Sequence, residues 1–461
     1  MACRSVFDLP AIRSEFEKAG ISIRFIAPVW KYVLQNPNIK IDFDEVPSLP
    51  TGAYPLLRSK FRSSTSTLDS VVESDDNITS KLLIRLQDGA FVEAVVMRYD
   101  SRMGRYAGKP RPGGPRSTLC ISSQVGCKMG CKFCATGSMG FKRNLSSGEI
   151  VEQLVHASHI SHIRNIVFMG MGEPLNNYAA LVEAVRIMTG FPFQLSPKRI
   201  TISTVGIIHA VNKLQDDLPN VNLAVSLHAP VQDIRCQIMP AARAFPLVKL
   251  MDALLIYQRN SKQKIFIEYI MLDGVNDEEQ HAHQLGKLLQ TLEVVVNLIP
   301  FNPIGISNHF RTSNEHNVKR FQSILRGYYG IRTTIRKQMG QDISSACETW
   351  YTPKNEFSLQ LVKSNTREER KILDLSETQG GCGLLQDFTV YDQYGEGPKG
   401  QIPSPGAGGF SGMSDAGGSG PTMFCSTPGA PMISSLDTVV PWRNGRHGWP
   451  WVWLCFPEER I

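Results

Sequence analysis

The chain has 461 residues, of which 42% are hydrophobic and 20% charged, and its formal net charge is +7. This composition excludes a low-complexity chain, and the absence of any run of about 18 apolar residues excludes an obvious membrane-spanning helix. Ten cysteines without a recognisable export signal favour reduced thiols in a cytoplasmic protein over a disulfide framework. The length predicts two or three domains.

The first 80 residues carry helical patterns such as FIAPVWKYVLQ, which Pro- and Ser-rich stretches interrupt. They predict a small N-terminal helical domain over residues 1–80. The next segment, residues 81–117, begins with two β-like runs around Asp88 and Gly89, and these predict a hairpin. The segment ends in a basic, Gly- and Pro-rich linker, which is compatible with a polyanionic partner.

From about residue 118 the pattern changes to short β-branched runs that alternate with segments of helical period. The runs are TLCIS, NIVFMG, RITIST, NLAVSLH, KIFIEYIML, VVVNLIP and IRTTIRK. Such repeated strand and helix units predict a parallel sheet, and six or more predict a full or partial barrel. Ser146 and Glu149 have the spacing of a helix capping box. We assign residues 118–347 to this α/β core and residues 348–461 to a disordered tail, in which residues 395–435 are more than half Gly, Pro and Ser.

The segment VGCKMGCKFCATG places Cys127, Cys131 and Cys134 at spacings of four and three residues. A structural zinc site takes four ligands, usually as two separated pairs, and no second CxxC pair occurs here. A [4Fe–4S] cluster fits three thiolates better, because its fourth iron is then open to a small molecule. Zinc and plain core cysteines are the alternatives. Gly126 and Gly130 would allow the tight turns that such a loop needs.

The CxxxCxxC motif, placed directly after the first predicted barrel strand, is similar to the signature of radical S-adenosylmethionine (SAM) enzymes. More narrowly, the blocks TLCISSQVGC, GFKRNL, GMGEPLNN, SLHAP, NLIPFNP and DISSAC together resemble the dual-specificity adenine-C2 methyltransferases of 23S rRNA and tRNA. The resemblance spans about residues 5–347 and implies a partial (β/α)6 radical SAM barrel. It also implies a [4Fe–4S] cluster and SAM as cofactors, rRNA and tRNA as substrates, and a flavodoxin- or ferredoxin-type electron donor. We expect a monomer.

Polar residues follow several of the predicted strands, and in a β/α barrel these strand ends form the face where ligands bind. By resemblance they hold SAM: Glu173 would accept the cofactor's ammonium group, while Ser203, Ser226 and Asn302 would bond its ribose and carboxylate. The predicted cofactor residues are Gly172, Glu173, Ser203, Ser226, Leu227, His228 and Asn302.

Two cysteines outside the motif carry the methyl transfer that the resemblance implies. Cys347 would be the thiol that a first SAM molecule methylates, and Cys120 the thiol that later resolves a protein–RNA adduct and leaves a disulfide. Glu93 would serve the proton step at C2 of adenine. The alternatives are buried structural thiols and a surface carboxylate.

A target adenine must leave its stack to enter a barrel mouth, so we expect an RNA-binding surface. The N-terminal helical domain and the basic linker are candidates, and a solvated loop is the alternative for the linker. The linker's cationic residues are Arg98, Arg102, Arg105, Lys109, Arg111 and Arg116. The linker is longer than is usual in the family, and the three residues after Cys347 also depart from the family pattern. The rival functions are methylation of C8 of the same adenine and a catalytically silent RNA-binding protein.

Overall fold

The computed structural model describes residues 3–36, 41–100, 105–106, 109–110, 114–303, 309–337, 339–340 and 342–343. Cys347 and the predicted tail lie outside these residues. The helices are α1 Leu9–Lys18, α2 Ile26–Gln35, α3 Ala53–Lys60, α4 Ala135–Ser138, α5 Ser147–Ser158, α6 Tyr178–Thr189, α7 Ile208–Asp217, α8 Gln232–Ile238, α9 Leu247–Ser261, α10 Glu279–Leu289 and α11 Glu315–Gly327. None of these helices is long and apolar enough to span a membrane.

The strands of the described residues divide between one large sheet and three small two-stranded ones. They are β1 Arg4–Ser5, β2 Phe61–Arg62, β3 Thr67–Glu73, β4 Thr79–Arg85, β5 Phe91–Asp100, β6 Arg105–Tyr106, β7 Lys109–Pro110, β8 Pro115–Cys120, β9 Gln124–Gly126, β10 Phe141–Asn144, β11 Ile163–Phe168, β12 Ile200–Thr204, β13 Asn222–Ser226, β14 Ile265–Met271, β15 Val294–Pro300 and β16 Arg332–Ile335.

The large sheet has the strand order β16-β15-β14-β13-β12-β11-β8-β5-β4-β3. The seven strands from β8 to β16 in this sheet pair in parallel, and helices such as α5, α6, α7, α9, α10 and α11 separate them along the chain. All seven apolar runs of the sequence are among these strands. The predicted α/β radical SAM fold is therefore confirmed, with a seventh parallel strand beyond the six that the fold name counts.

The parallel strands are nearly continuous apolar runs because both of their faces are buried. In β14, IFIEYIM, every residue is buried except Phe266, which is half-buried.

Side-chain hydrogen bonds to the backbone mark the start of helix α5. At the start of α5 the Ser146 hydroxyl accepts from the backbone N–H of Glu149, and the Glu149 carboxylate accepts from the N–H of Ser146. The predicted capping box is thus confirmed.

The predicted hairpin at Asp88 and Gly89 is also confirmed, since β4 and β5 pair antiparallel on either side of it. Strand β5 then pairs with β8, so the hairpin extends the same sheet as the parallel strands. Helices α1, α2 and α3 contribute buried side chains to the hydrophobic core that the parallel strands share. The division of the chain at residues 80, 117 and 347 stays a prediction.

A buried carboxylate joins the N-terminal region to the parallel part of the sheet. Glu152 of α5 accepts hydrogen bonds from the backbone N–H groups of Thr65 (2.9 Å) and Ser66 (2.8 Å), and from the hydroxyl of Ser64 (3.2 Å). Burial raises the pKa of Glu152, and these hydrogen bonds oppose that rise. A buried carboxylate that accepts several donors holds both partners in place, because separating them would leave it unsatisfied.

The basic linker joins the sheet at a defined edge. Since β5 runs antiparallel to β8, Asp100 lies opposite Pro115 at the amino ends of the parallel strands. The linker therefore leaves and rejoins the sheet at this edge, whereas the cysteine loop follows Cys120 at the carboxyl end of β8. The two features lie at opposite ends of the strands.

Candidate active site

The three motif cysteines lie on the loop between β9 and α4, where glycines permit tight turns. Gly126 and Gly130 have φ angles of 75° and 63°, so both occupy the left-handed region that favours glycine. At Gly126 a Cβ atom would also lie 1.9 Å from the carbonyl oxygen of Gly140. The backbone N–H of Cys127 donates to that same oxygen, at 2.8 Å. The predicted tight turns are confirmed, and they close the loop on itself.

The thiols of this loop line a cavity at the carboxyl ends of the parallel strands. Its empty volume is about 790 Å³, including the space open to solvent at its mouth, which is within the range of small-molecule sites. The lining residues used below are Cys127, Cys131, Phe133, Cys134, Met169, Gly172, Glu173, Ser203, Ser226, His228, Glu268 and Arg336. Because they come from β11, β12, β13, β14 and the residues after β16, the sheet curls around the cavity.

The chemistry of the three thiols suits an iron–sulfur cluster. Burial raises the pKa of the Cys127 thiol to about 12, and burial together with the neighbouring thiols raises the pKa of Cys131 well above its ordinary value. Both are therefore uncharged thiols that would release their protons on binding iron. In the described part of the chain, no group of three or more His, Cys, Asp or Glu side chains is arranged to hold a single metal ion. A [4Fe–4S] cluster instead takes one thiolate on each of three irons. The donor set therefore fits the cluster better than a zinc ion.

Glu173 supplies a buried carboxylate beside the thiols. It is 2% exposed, and its carboxylate accepts from the backbone N–H groups of Leu175 (3.1 Å) and Val205 (2.8 Å). Burial raises the pKa of Glu173 to about 7. The side-chain oxygen of Gln124 accepts a hydrogen bond from the backbone N–H of Glu173 at 2.8 Å, which fixes the backbone at this residue. A carboxylate fixed in this way is suited to an ammonium group that enters the cavity.

Gly172 allows the chain to pass this close to Gln124. Its φ is 98°, and a Cβ atom there would lie 2.5 Å from the Cβ of Gln124. Because Gln124 is itself bonded to Asn144 at 2.7 Å, it is not free to move aside. The backbone at this turn therefore requires glycine.

Gly172→Ala is expected to destabilise the fold by roughly 2–4 kcal/mol, from a strained φ and from overpacking. Thermal unfolding of the protein measures this loss. Gly327→Ala is the matched control, since a Cβ there meets nothing within 4 Å and no positive φ is involved. It should change the free energy of unfolding by less than about 1 kcal/mol. Equal stability of the two variants would show that the turn tolerates a side chain.

The polar residues on β12 and β13 meet at the same cavity. The hydroxyl oxygens of Ser203 and Ser226 are 3.5 Å apart. His228 has a φ of 59°, its Nδ1 accepts from the N–H of Ile270 at 3.1 Å, and its ring packs edge-on against Phe133 with the centroids 4.9 Å apart. Burial lowers the pKa of His228 to about 3, so the ring is uncharged at neutral pH.

Five of the seven predicted cofactor residues line the cavity, namely Gly172, Glu173, Ser203, Ser226 and His228. Leu227 and Asn302 do not. Leu227 is fully buried in the hydrophobic core, and its backbone N–H donates to the carbonyl of Glu268 at 3.1 Å. Asn302 is 9% exposed and follows β15.

Two charged cavity residues were not predicted. Glu268 of β14 is 4% exposed, and the Asn297 side chain donates to its carboxylate at 2.8 Å. Thr334 in turn donates to the Asn297 side chain, so strands β14, β15 and β16 are linked by one chain of hydrogen bonds. Arg336 lines the cavity just after β16. The sequence does carry a signal for Glu268. It is the one charged residue in the apolar part of the run KIFIEYIML, and a charged side chain inside a buried strand indicates a polar partner or a functional site.

Glu93 and Cys120 lie on neighbouring strands and face the same side of the sheet. Cys120 is directly opposite Val95 in the register of β5 and β8, and Glu93 lies two residues from Val95. Glu93 is 2% exposed, with its carboxylate 3.9 Å from the Lys81 ammonium. The alternative of a surface carboxylate at Glu93 is therefore wrong, because the antiparallel hairpin buries it.

Cys120 is 1% exposed and belongs to a small apolar cluster next to the cavity. Met169 packs against this cluster and also lines the cavity. Met339 packs against it as well, which brings the chain that leads to Cys347 to the same side of the sheet. Asp342 then accepts from the backbone N–H of Asp75 at 2.7 Å. The predicted methyl-carrying residue, Cys347, lies outside the described residues.

Comparisons with known proteins agree with this geometry. Residues 121–285 match the radical SAM superfamily. The chain is 39% identical over 318 residues to the ribosomal RNA large subunit methyltransferase N of Nitrosopumilus maritimus (strain SCM1), covering 66% of this chain and 86% of the relative. It is 45% identical over 282 residues to the dual-specificity RNA methyltransferase RlmN of Syntrophobacter fumaroxidans, covering 60% and 77%. A crystal structure of a radical SAM methyltransferase from Sphaerobacter thermophilus superposes with a TM-score of 0.66 at 34% identity, covering 75% of this chain and 98% of that one.

Proposed function

The chain belongs to the RlmN family of radical SAM RNA methyltransferases, and from this we propose that it methylates C2 of adenosine in large-subunit rRNA and in tRNA. The observation that carries the proposal is the pairing of two thiol sites. Three motif cysteines line a cavity at the strand ends, and a separate buried thiol, Cys120, lies beside that cavity. This is the arrangement that the proposed transfer requires, with Cys120 as the resolving thiol beside the cofactor cavity.

We propose that Cys127, Cys131 and Cys134 hold the [4Fe–4S] cluster. When bound, the cluster and SAM supply the one-electron chemistry and the methyl group. Glu173 binds the cofactor's ammonium group, while Ser203 and Ser226 bond its polar groups. Asn302 does not line the cavity, and its bond to the cofactor stays a prediction from the family resemblance. Gly172, Leu227 and His228 complete the proposed cofactor set: Gly172 allows the close turn, Leu227 fixes the end of β13, and uncharged His228 packs on Phe133.

Three residues of the chain are proposed to carry out the transfer to RNA. Cys347 would carry the methyl group. The one-electron chemistry that the bound cluster and SAM would supply removes one hydrogen atom from this methyl group, so that its carbon can form a bond to C2 of the target adenine. Glu93 takes the proton that leaves C2. The Cys120 thiolate then attacks the Cys347 sulfur, so that a disulfide bond forms and the bond between the Cys347 sulfur and the transferred carbon breaks. The carbon keeps the bonding pair and takes up a proton to become the product methyl group, and the one electron left from the radical addition would return to the cluster. Cys347 is four residues beyond Ile343, a span of at most about 14 Å.

The partners and domains are proposed on the same basis. A flavodoxin- or ferredoxin-type donor would approach the cysteine loop, where Lys128 and Lys142 are exposed and suit an acidic surface. A monomer remains the expected oligomeric state. Residues 1–80 are proposed as an RNA-binding accessory domain. Reduced thiols and RNA substrates support a cytoplasmic location.

Product analysis tests the proposed function. Protein reconstituted with its cluster under anaerobic conditions is incubated with SAM, a reductant and an rRNA fragment or tRNA, and the digested nucleosides are separated by mass and retention time. We expect 2-methyladenosine. Formation of 8-methyladenosine would show that the protein methylates C8 of adenosine and not C2. The absence of any methylated nucleoside from cluster-replete protein would favour the silent RNA-binding protein instead.

A further inference from the structure

Three arginines gather at the amino ends of adjacent parallel strands, at the opposite end from the cavity. Arg116 lies in β8, Arg164 in β11, and Arg199 directly before β12. Arg116 and Arg164 are exposed, and Arg199 is half-buried. The register of the sheet places them side by side, since Ile163 pairs with Ser117 and Ile166 with Ile200. Burial together with the charges of Arg164 and Arg116 lowers the pKa of Arg199. We call these three residues the amino-end arginines.

Within the described part of the chain, none of the amino-end arginines forms an ion pair with a carboxylate. Other arginines of this chain do: Arg143 pairs with Asp88 and Glu149, and Arg320 pairs with Glu279. Unpaired like charges held together disfavour folding through their mutual repulsion, so a cluster of this kind points to an external anion.

The basic linker is rooted beside the amino-end arginines. It begins after Asp100 and returns at Pro115, the residue before Arg116. The Arg116 guanidinium stacks on the ring of Tyr99, 5.4 Å from its centroid, so its position is fixed by the strand from which the linker starts. Arg98, on the same strand as Tyr99, pairs with Glu73 at 3.2 Å, so its charge is already balanced. Arg116 differs from Arg98 in having an aromatic ring rather than a carboxylate as its neighbour.

We propose that the amino-end arginines, with the root of the basic linker, bind the phosphate backbone of the RNA substrate at a point remote from the target adenine. This inference rests on the proposed RNA methyltransferase function. The three arginines span three adjacent strands, or about 10 Å, which is more than a single phosphate needs. A six-residue strand such as β8 separates this edge from the cavity by about 20 Å. Only an RNA large enough to reach around the barrel can contact both.

The size of the RNA supplies the test. The triple variant Arg116→Gln, Arg164→Gln and Arg199→Gln should bind an intact tRNA or rRNA domain about tenfold or more weakly at 0.15 M salt. The plot of the logarithm of the association constant against the logarithm of the salt concentration should become less steep by about 2–3. Each lost phosphate contact reduces the steepness of this plot by about 0.7–0.9. A short stem-loop with the same target adenine should bind and react as it does with the parent protein.

Three exposed lysines on the outer helices provide the matched control, Lys213→Gln, Lys249→Gln and Lys287→Gln, which remove the same charge elsewhere. This control should keep the parent affinity and salt slope. Arg164→Glu alone, at an exposed side chain, should weaken binding of the large RNA more than Arg164→Gln and leave thermal unfolding unchanged. An equal loss in the lysine control, or an equal loss with the stem-loop, would overturn the proposal. Since binding is measured directly, the result stands even if the methyl product is not the one proposed.

Discussion

Cys127→Ala is expected to reduce RNA methylation to background and to leave Cys347 unmethylated. The cavity offers three thiols to the cluster, and with only two of them a [4Fe–4S] cluster is not held. The measurement is the mass of the protease-derived peptide that contains Cys347, from protein isolated anaerobically. In the parent protein this peptide should be heavier by one methylene unit, and in Cys127→Ala it should have the plain mass.

Cys236→Ala is the control for this experiment. Cys236 is a half-buried free thiol of α8 that does not line the cavity, so its loss should leave the cluster and the heavier Cys347 peptide unchanged. A plain mass in the parent protein, with the cluster present and SAM supplied, would contradict the proposed mechanism. The altered sequence after Cys347 would then be the place to look for the cause.

Cys120→Ala is expected to stop turnover and to leave RNA covalently attached to the protein. Without the Cys120 sulfur no disulfide forms, so the bond between the Cys347 sulfur and the transferred carbon is not broken. A denaturing gel with labelled RNA detects the attached species, and nuclease digestion followed by mass analysis locates the nucleoside on the Cys347 peptide.

Two variants separate this outcome from unfolding. Cys236→Ala should turn over and accumulate no attached RNA, and Cys120→Ala combined with Cys347→Ala should lose the attached species. Cys120 is buried among apolar side chains, and its replacement by alanine should leave the protein folded, which thermal unfolding checks. Folded Cys120→Ala protein that neither turns over nor retains RNA would remove Cys120 from the resolving step.

Sequence patterns predicted the parts of the fold that depend on local chemistry. Each parallel strand is an apolar β-branched run, and the capping box at Ser146 follows from two side chains three residues apart. The cofactor residues were found near the carboxyl ends of strands: Ser226 is the last residue of β13, and Glu173 lies on the loop that follows β11. Glu268 was missed because it lies within a strand, and only the curvature of the sheet turns it towards the cavity.

The direction of the linker could not be read from the sequence either. Its charge indicates an anionic partner, but the edge from which it projects depends on β5 pairing antiparallel with β8. Periodicity identifies a strand without specifying its neighbour or its orientation. The sequence therefore predicted a basic linker, and the topology places the two ends of this linker at the edge of the sheet opposite the cavity.

The Glu152 hydrogen bonds couple two regions that are distant in sequence. Glu152 lies on α5, which directly follows β10, and β10 pairs with β9, the strand that runs into Cys127. The segment at Ser64 and Thr65 is thus bonded to the helix that supports the cysteine loop. Opening of the N-terminal region would expose this helix and loosen the loop, so both should exchange their amide hydrogens as one cooperative unit. Protection of the oxygen-sensitive centre from air would then depend on the first 66 residues as much as on the barrel.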